Sequence, residues 1–212
     1  MKYGKFESGK NSKPEGSAKA PKEKLSFEKN LLLYLHDFVY LIAAVLLIFL
    51  LCFRIIVVSG SSMVDTLVDG DYLLLLNSVF YSEPERGDIV VVSKDSFDDG
   101  DPIVKRIIAL EGQTVDIDFQ AGIVYVDGTA LEEPYTYTLT TVQEGVSFPL
   151  VVEEGCVFVM GDNRQVSKDS RSPEIGLIDE REIMGKAIFL MLPGQEPKYG
   201  IERDYSRIGV IN

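Results

Sequence analysis

The chain has 212 residues, 46% of them hydrophobic, and a formal net charge of -12. That length allows one domain with attachments or two small domains, and the apolar content is enough for a real core. The acidic excess argues against nucleic acid as a main partner, because affinity there comes from neutralising phosphates. The two cysteines, Cys52 and Cys156, have no metal-ligand spacing, so no disulfide framework, metal or cofactor is expected.

Residues 1–37 carry eight lysines against five acids, Glu7, Glu15, Glu23, Glu28 and Asp37. Up to residue 24 they are Lys-, Gly-, Ser- and Pro-rich with few apolar side chains, so residues 1–37 are expected to be a disordered tail. Ser26-Phe27-Glu28-Lys29 has the S-x-x-K spacing of some acyl-transfer enzymes. The companion motifs S-D-N and K-T-G are missing, and Ser26 reads instead as the cap of a helix starting near Phe27.

Phe38 to Phe53 contains no charge; Arg54 interrupts, and Ile55 to Val58 resume the apolar run. At about 1.5 Å per residue a helix over 38–58 spans about 30 Å, one hydrocarbon core, with Arg54 near enough to the end to snorkel. A cleavable secretion leader is the competing reading, but the stretch before the apolar run is too long for it. Residues 38–58 are therefore expected to be a transmembrane anchor. The lysines before it place the N-terminus in the cytoplasm and residues 59–212 outside the cytoplasmic membrane. That outer part holds twelve Lys or Arg against 28 acids, as suits an exposed soluble domain.

The outer part reads as strands at short, turn-punctuated intervals. Tyr72–Leu76, Ile89–Val92, Val104–Leu110, Val115–Phe119, Ile123–Val126, Cys156–Met160 and Ile183–Leu192 are the candidates, with Asp127-Gly128 as a hairpin turn. No long helical pattern follows the anchor, so the body is expected to be all-β. The acidic, aromatic-dotted stretch near 112–155 is expected to be a smaller β lobe inserted in the main body.

Three segments carry candidate chemistry. Ser59-Gly60-Ser61-Ser62-Met63-Val64-Asp65-Thr66-Leu67 begins where the apolar run ends. A serine hydroxyl needs a neighbour to take its proton, and the one histidine, His36, lies before the anchor. A lysine serves if burial keeps its amine neutral. Lys105 sits among Ile103, Val104, Ile107 and Ile108, and on a strand it shares a face with Ile103 and Ile107. The plainer alternative is a surface lysine on an edge strand. Gly161 to Arg171 reads as a loop in which Asp162, Arg164, Asp169 and Arg171 form ion pairs.

Together these segments resemble the type I signal peptidases of bacteria, membrane-anchored serine proteases that remove signal peptides from exported proteins. The resemblance covers the anchor and almost all of residues 55–212. It rests on Ser62-Met63-x-x-Thr66-Leu67, Gly70-Asp71-Tyr72-Leu73, Arg86-Gly87-Asp88-Ile89-Val90, Val104-Lys105-Arg106, Gly161-Asp162-Asn163-Arg164-x-x-Ser167-x-Asp169-Ser170-Arg171 and Gly185-Lys186-Ala187, in that order. It implies Ser62 as nucleophile, Lys105 as general base and Ser167 as a hydroxyl that holds the lysine amine. It implies the Ser62 backbone N–H as an oxyanion donor, and Asp162 with Arg106 and Asp169 with Arg171 as supporting ion pairs. It implies two antiparallel sheets, preprotein substrates and a bilayer partner, with cleavage after a small residue that has another small residue two before it.

Two positions depart from that pattern. Gly60 stands where some members carry a hydroxyl that serves as second oxyanion donor. Asp65 stands where proline is usual; it is expected to accept a hydrogen bond from the Leu67 N–H and to raise the pKa of Lys105. A Ser-Lys protease of the self-cleaving SOS repressor type would need a DNA-binding segment in place of the anchor. An inactive adaptor on the same scaffold would not need Ser62, Lys105 and Ser167. Val79, Phe80 and Tyr81 are expected on an exposed rim at the membrane interface.

Overall fold

The computed structural model describes residue 1 and residues 27–94, 97 and 100–211. Residues 2–26, which hold most of the lysine-rich tail and Ser26, lie outside the described residues. The chain divides into two compact units, Met1–Ala44 and Val45–Asn212.

Helix α1 runs Phe27–Cys52 and occupies the described part of the first unit before ending in the second. Residues 27–37, expected to be disordered, are helical because no Gly or Pro interrupts 27–52 and Leu31 to Leu35 favour the helix. From Leu31 to Leu51 its side chains are exposed. Asn30–Cys52 has a mean hydropathy of 2.4, long and apolar enough to cross a membrane.

The apolar run does not continue as helix to Val58. Phe53–Val57 form strand β1, paired antiparallel with β2, Tyr72–Asn77. Arg54 breaks the apolar sequence, and Ile55, Ile56 and Val57 are β-branched, so the chain gains a ladder with Leu73–Leu76 in place of another helical turn.

Ten further strands follow: β3 (Ile89–Val92), β4 (Ile103–Ala109), β5 (Thr114–Asp118), β6 (Ile123–Val126), β7 (Thr129–Ala130), β8 (Leu150–Val151), β9 (Cys156–Met160), β10 (Ile178–Asp179), β11 (Ile183–Leu192) and β12 (Gly209–Val210). They build two antiparallel sheets. The larger has eight strands in the order β1-β2-β11-β3-β4-β9-β10, with β12 on β11; the smaller has the order β7-β6-β5-β8. The smaller sheet lies in sequence between β4 and β9. Asp127 and Gly128 make its tightest turn, both with positive φ (53° and 75°), as an Asp-Gly hairpin requires.

Alternation along the strands sorts side chains into three buried clusters. Leu73 and Leu75 of β2 join Ile89 and Val91 of β3 with Met63 and Leu67 from the loop between β1 and β2. Val90 and Val92 face the other way, onto Ile107, Val157 and Val159. The third cluster packs the smaller sheet, through Val115, Val124 and Val126, onto Ile108, Phe158 and Met160. The first cluster positions the site. By burying Met63 and Leu67 it anchors the Ser62 loop at one end of β2, close to β4.

Candidate active site

The loop between β1 and β2 is held by its own backbone before any side chain acts. Val58 N–H donates to Asp71 O at 2.8 Å, Gly70 N–H to Val58 O at 2.9 Å, and Leu67 N–H to Met63 O at 2.9 Å. Leu67 N–H therefore does not go to Asp65, whose side chain is exposed. The reason is that 63–67 closes as a tight turn, whose own Met63 carbonyl satisfies that donor. Gly60, with φ of 87°, donates its N–H to Asp69 Oδ1 at 2.8 Å and brings no hydroxyl.

Lys105 is on β4 and is 3% exposed. Its Nζ lies 2.9 Å from Ser62 Oγ and 3.0 Å from Val104 O, in hydrogen-bond contact with both. Ser167 is fully buried, but no hydrogen bond joins it to Lys105; its hydroxyl donates to Lys168 O at 3.4 Å. The second group that Nζ meets is the carbonyl of the neighbouring Val104. Ser167 instead packs on Gly161, where a Cβ would stand 2.5 Å from both Ser167 Cβ and Ser62 O. Only glycine permits that approach.

Asp162 ties the strand of the lysine to the loop of the serine. Its carboxylate accepts Arg106 Nε at 3.0 Å and Arg106 Nη2 at 2.8 Å, and also the Thr66 hydroxyl at 2.6 Å. Asn163 holds the serine itself: its N–H donates to Ser62 O at 2.9 Å and its Nδ2 to Ser61 O at 3.1 Å. Asp169 pairs with Arg171 at 2.8 Å through two nitrogens and accepts Gly161 N–H at 3.0 Å. All these charged side chains are buried, and each is paired.

Burial pushes the Lys105 ammonium down to about 8 from its ordinary range, against the opposing pull of Asp169, Asp162 and Glu144. Arg171, paired with Asp169, offsets part of that pull. A cleft of about 320 Å³ opens beside the pair, bounded by Ile56 and Val57 of β1, Ser59, Ser62, and residues 101–105. Two strand edges line it. Among the described residues β1 pairs only with β2, and β4 pairs with β9 only from Arg106 onward, so Ile103–Lys105 have β3 on one side alone. Such a slot suits an extended peptide adding hydrogen bonds to free edges. Among the described residues no group of three or more His, Cys, Asp or Glu is arranged to hold a metal.

Comparison with known proteins gives one answer. The pattern of the family described as "Signal peptidase, peptidase S26" matches residues 31–192. The chain belongs to this family. It is 36% identical to a signal peptidase I of Bacillus licheniformis, over 82% of this chain and 96% of that one. It is 38% identical to signal peptidase I T of Bacillus subtilis (strain 168), over 74% and 84% of the two chains. A crystal structure of a signal peptidase I from Enterococcus faecalis V583 is 30% identical, covers 50% of this chain and 97% of its own, and has a TM-score of 0.40. Family membership makes the chain a peptidase.

Sequence reasoning passed over four residues that hold the site together. Glu133 pairs with the buried Arg164 at 2.9 and 2.5 Å, and Tyr135 lies under the Arg106 guanidinium, 4.0 Å from carbon to ring centre. Arg207 binds Asp71 at 3.1 and 2.7 Å, and Tyr199 meets Asn163. The one available signal was a count. A loop with two buried aspartates and two buried arginines, plus Arg106, needs an acid from elsewhere.

The lysine has a consequence for stability. Its folded pKa of about 8 lies below the unfolded value near 10.5, so below pH 8 the buried ammonium destabilises the fold, and the effect vanishes above pH 10.5. Lys105→Met should therefore be more stable than wild type at pH 7, by up to about 3 kcal/mol, with the difference shrinking toward pH 10.5. Denaturant unfolding at several pH values measures it. A variant less stable at pH 7 would show that the lysine is not held in a desolvated site.

Proposed function

We propose that this chain is a membrane-anchored signal peptidase that cuts signal peptides from exported preproteins, with Ser62 as nucleophile and Lys105 as general base. The observation that carries the reading is the 2.9 Å contact between Lys105 Nζ and Ser62 Oγ, made by a lysine 3% exposed. Neutral Lys105 takes the Oγ proton as Oγ attacks the scissile carbonyl carbon. The Ser62 N–H, which donates to no protein group among the described residues, is free to meet the oxyanion. The Lys105 ammonium then gives its proton to the leaving amine. A water, deprotonated by the same amine, releases the acyl group and restores Ser62. Asp162, Arg106, Asp169 and Arg171 fix the loops, and Ser167 acts through its packing on Gly161.

The substrate class follows from family membership and from the slot, which takes an extended segment. For the membrane, Asn30–Cys52 at about 1.5 Å per residue gives a helix of about 35 Å, enough for one crossing. The lysine-rich tail before it favours a cytoplasmic N-terminus and a catalytic body outside. Val79 and Phe80 are 79% and 53% exposed, on a short turn tied to the last turn of α1 by Asn77 Nδ2 donating to Leu51 O at 3.3 Å. That placement supports a rim at the bilayer surface. Tyr81 is not part of it, because its hydroxyl turns in to Asp88 at 2.7 Å.

Two outcomes are expected. Ser62→Ala and Lys105→Ala should each abolish preprotein cleavage, and wild-type kcat/KM should rise roughly tenfold per pH unit up to about pH 8 and then level, since only the neutral amine accepts a proton. Near-normal turnover by Lys105→Ala, or a flat profile through pH 8, would refute the dyad. Because the chain has no tryptophan, Phe80→Trp gives a single reporter in the full-length protein. In vesicles its emission should be blue-shifted and quenched by brominated lipid, whereas Val166→Trp, at an exposed position in the 160–171 loop, should not respond. Unquenched, water-like emission at position 80 would remove the rim.

A further inference from the structure

The segment after β11 is not covered by the family match, which ends at residue 192. It nevertheless grips the serine loop at several points. Gly194 N–H donates to Asp71 Oδ1 at 2.6 Å and Gln195 N–H to Asp69 O at 3.1 Å. Arg207 reaches back with Nη2 shared between Asp71 Oδ2 at 2.7 Å and Thr66 O at 3.1 Å. Asp71 is fully buried, so its carboxylate depends on that cation.

The most direct contact is at Asn163. This side chain is 2% exposed and its amide offers two N–H donors. One goes to Ser61 O at 3.1 Å; the other goes to the Tyr199 hydroxyl at 3.2 Å. The Asn163 backbone N–H holds Ser62 O at 2.9 Å. The peptide between Ser61 and Ser62, which carries the N–H assigned to the oxyanion, is thus held by Asn163 together with a longer 3.4 Å bond from Val64 N–H to Ser61 O, and the Asn163 amide is itself fixed by Tyr199. Without the hydroxyl a buried N–H loses its acceptor and the amide is free to re-aim. Tyr199 is also seated edge-on against Tyr137, with ring centres 5.5 Å apart, a packing that phenylalanine keeps.

We propose that Tyr199 is a positioning residue for the nucleophile: its hydroxyl orients Asn163, which sets the Ser61–Ser62 peptide and so the oxyanion donor. The proposal rests on Ser62 being the nucleophile. The C-terminal segment is then a brace on the active site, with Arg207 as its second hold.

The test is a double-mutant cycle in the full-length protein, reading kcat and KM on one preprotein with melting temperature as control. Tyr199→Phe should lower kcat about tenfold with KM and the pH of the kcat/KM rise unchanged and the melting temperature lower by only a few degrees, because a donor loses its alignment while the fold is kept. In an Asn163→Ala background the same change should have no further effect. If Asn163→Ala does not fold, the kcat-only loss in Tyr199→Phe decides alone. A kcat within twofold of wild type, a loss carried by KM, or an equal loss in both backgrounds overturns the brace. Ser62→Ala runs beside it. Turnover by that variant overturns the nucleophile assignment, whereas a dead Ser62→Ala beside a fully active Tyr199→Phe overturns the brace alone.

Discussion

The desolvation of one amine is the constraint on which the rest of the structure depends. Lys105 stands 2.9 Å from a serine hydroxyl and has no carboxylate partner of its own among the described residues. Every other buried charge around it is matched: Arg106 with Asp162, Arg171 with Asp169, Arg164 with Glu133, Arg207 with Asp71. This matching leaves the lysine to respond to burial first and to the nearby acids second. An unpaired acid placed beside it would favour the ammonium form.

The same ion pairs solve a mechanical problem. The serine and the lysine come from segments 43 residues apart, and their contact must hold to a fraction of an ångström. Asp162 meets that need with three bonds, two to the lysine's neighbour Arg106 and one to Thr66 in the serine loop. Residues near the smaller sheet close the arrangement from outside. Glu133 clamps Arg164, Tyr137 N–H donates to Asp162 O at 3.0 Å, and Arg171 Nη1 donates to Val142 O at 3.1 Å. A loop dense in charge thus has each buried charge paired, which sets it apart from a solvent-exposed set of salt bridges.

Much of this was legible in the sequence. The long strands announced themselves through β-branched alternation between Gly and Asp turns. The motif order around Ser62, Lys105 and 161–171 pointed to one chemistry. What escaped has physical reasons. β1 was read as membrane helix because Ile55 to Val58 are apolar in either setting, and only the ladder to Leu73–Leu76 decides between them. The two-residue strands β7, β8, β10 and β12 carry too few residues to show a period. Asp65 was assigned a turn bond and an influence on Lys105; the backbone donor it needed is taken by Met63 O, and the acids acting most on the lysine are Asp169, Asp162 and Glu144. Ser167 was assigned to the amine by its place in the motif; its hydroxyl donates to Lys168 O instead. Glu133, Tyr199 and Arg207 are joined to the site by long-range contacts that no local pattern encodes.

The central claim, that burial keeps the Lys105 amine neutral enough to act as a base, is tested most directly by watching that amine titrate. Full-length protein in detergent micelles, labelled with carbon-13 at the lysine ε-carbons and assigned by comparison with Lys105→Met, gives the titration by NMR. The account expects the Lys105 resonance to titrate with a midpoint near 8, well below the ordinary lysine value. A Lys105 midpoint at the ordinary lysine value, alongside an intact fold, would contradict it.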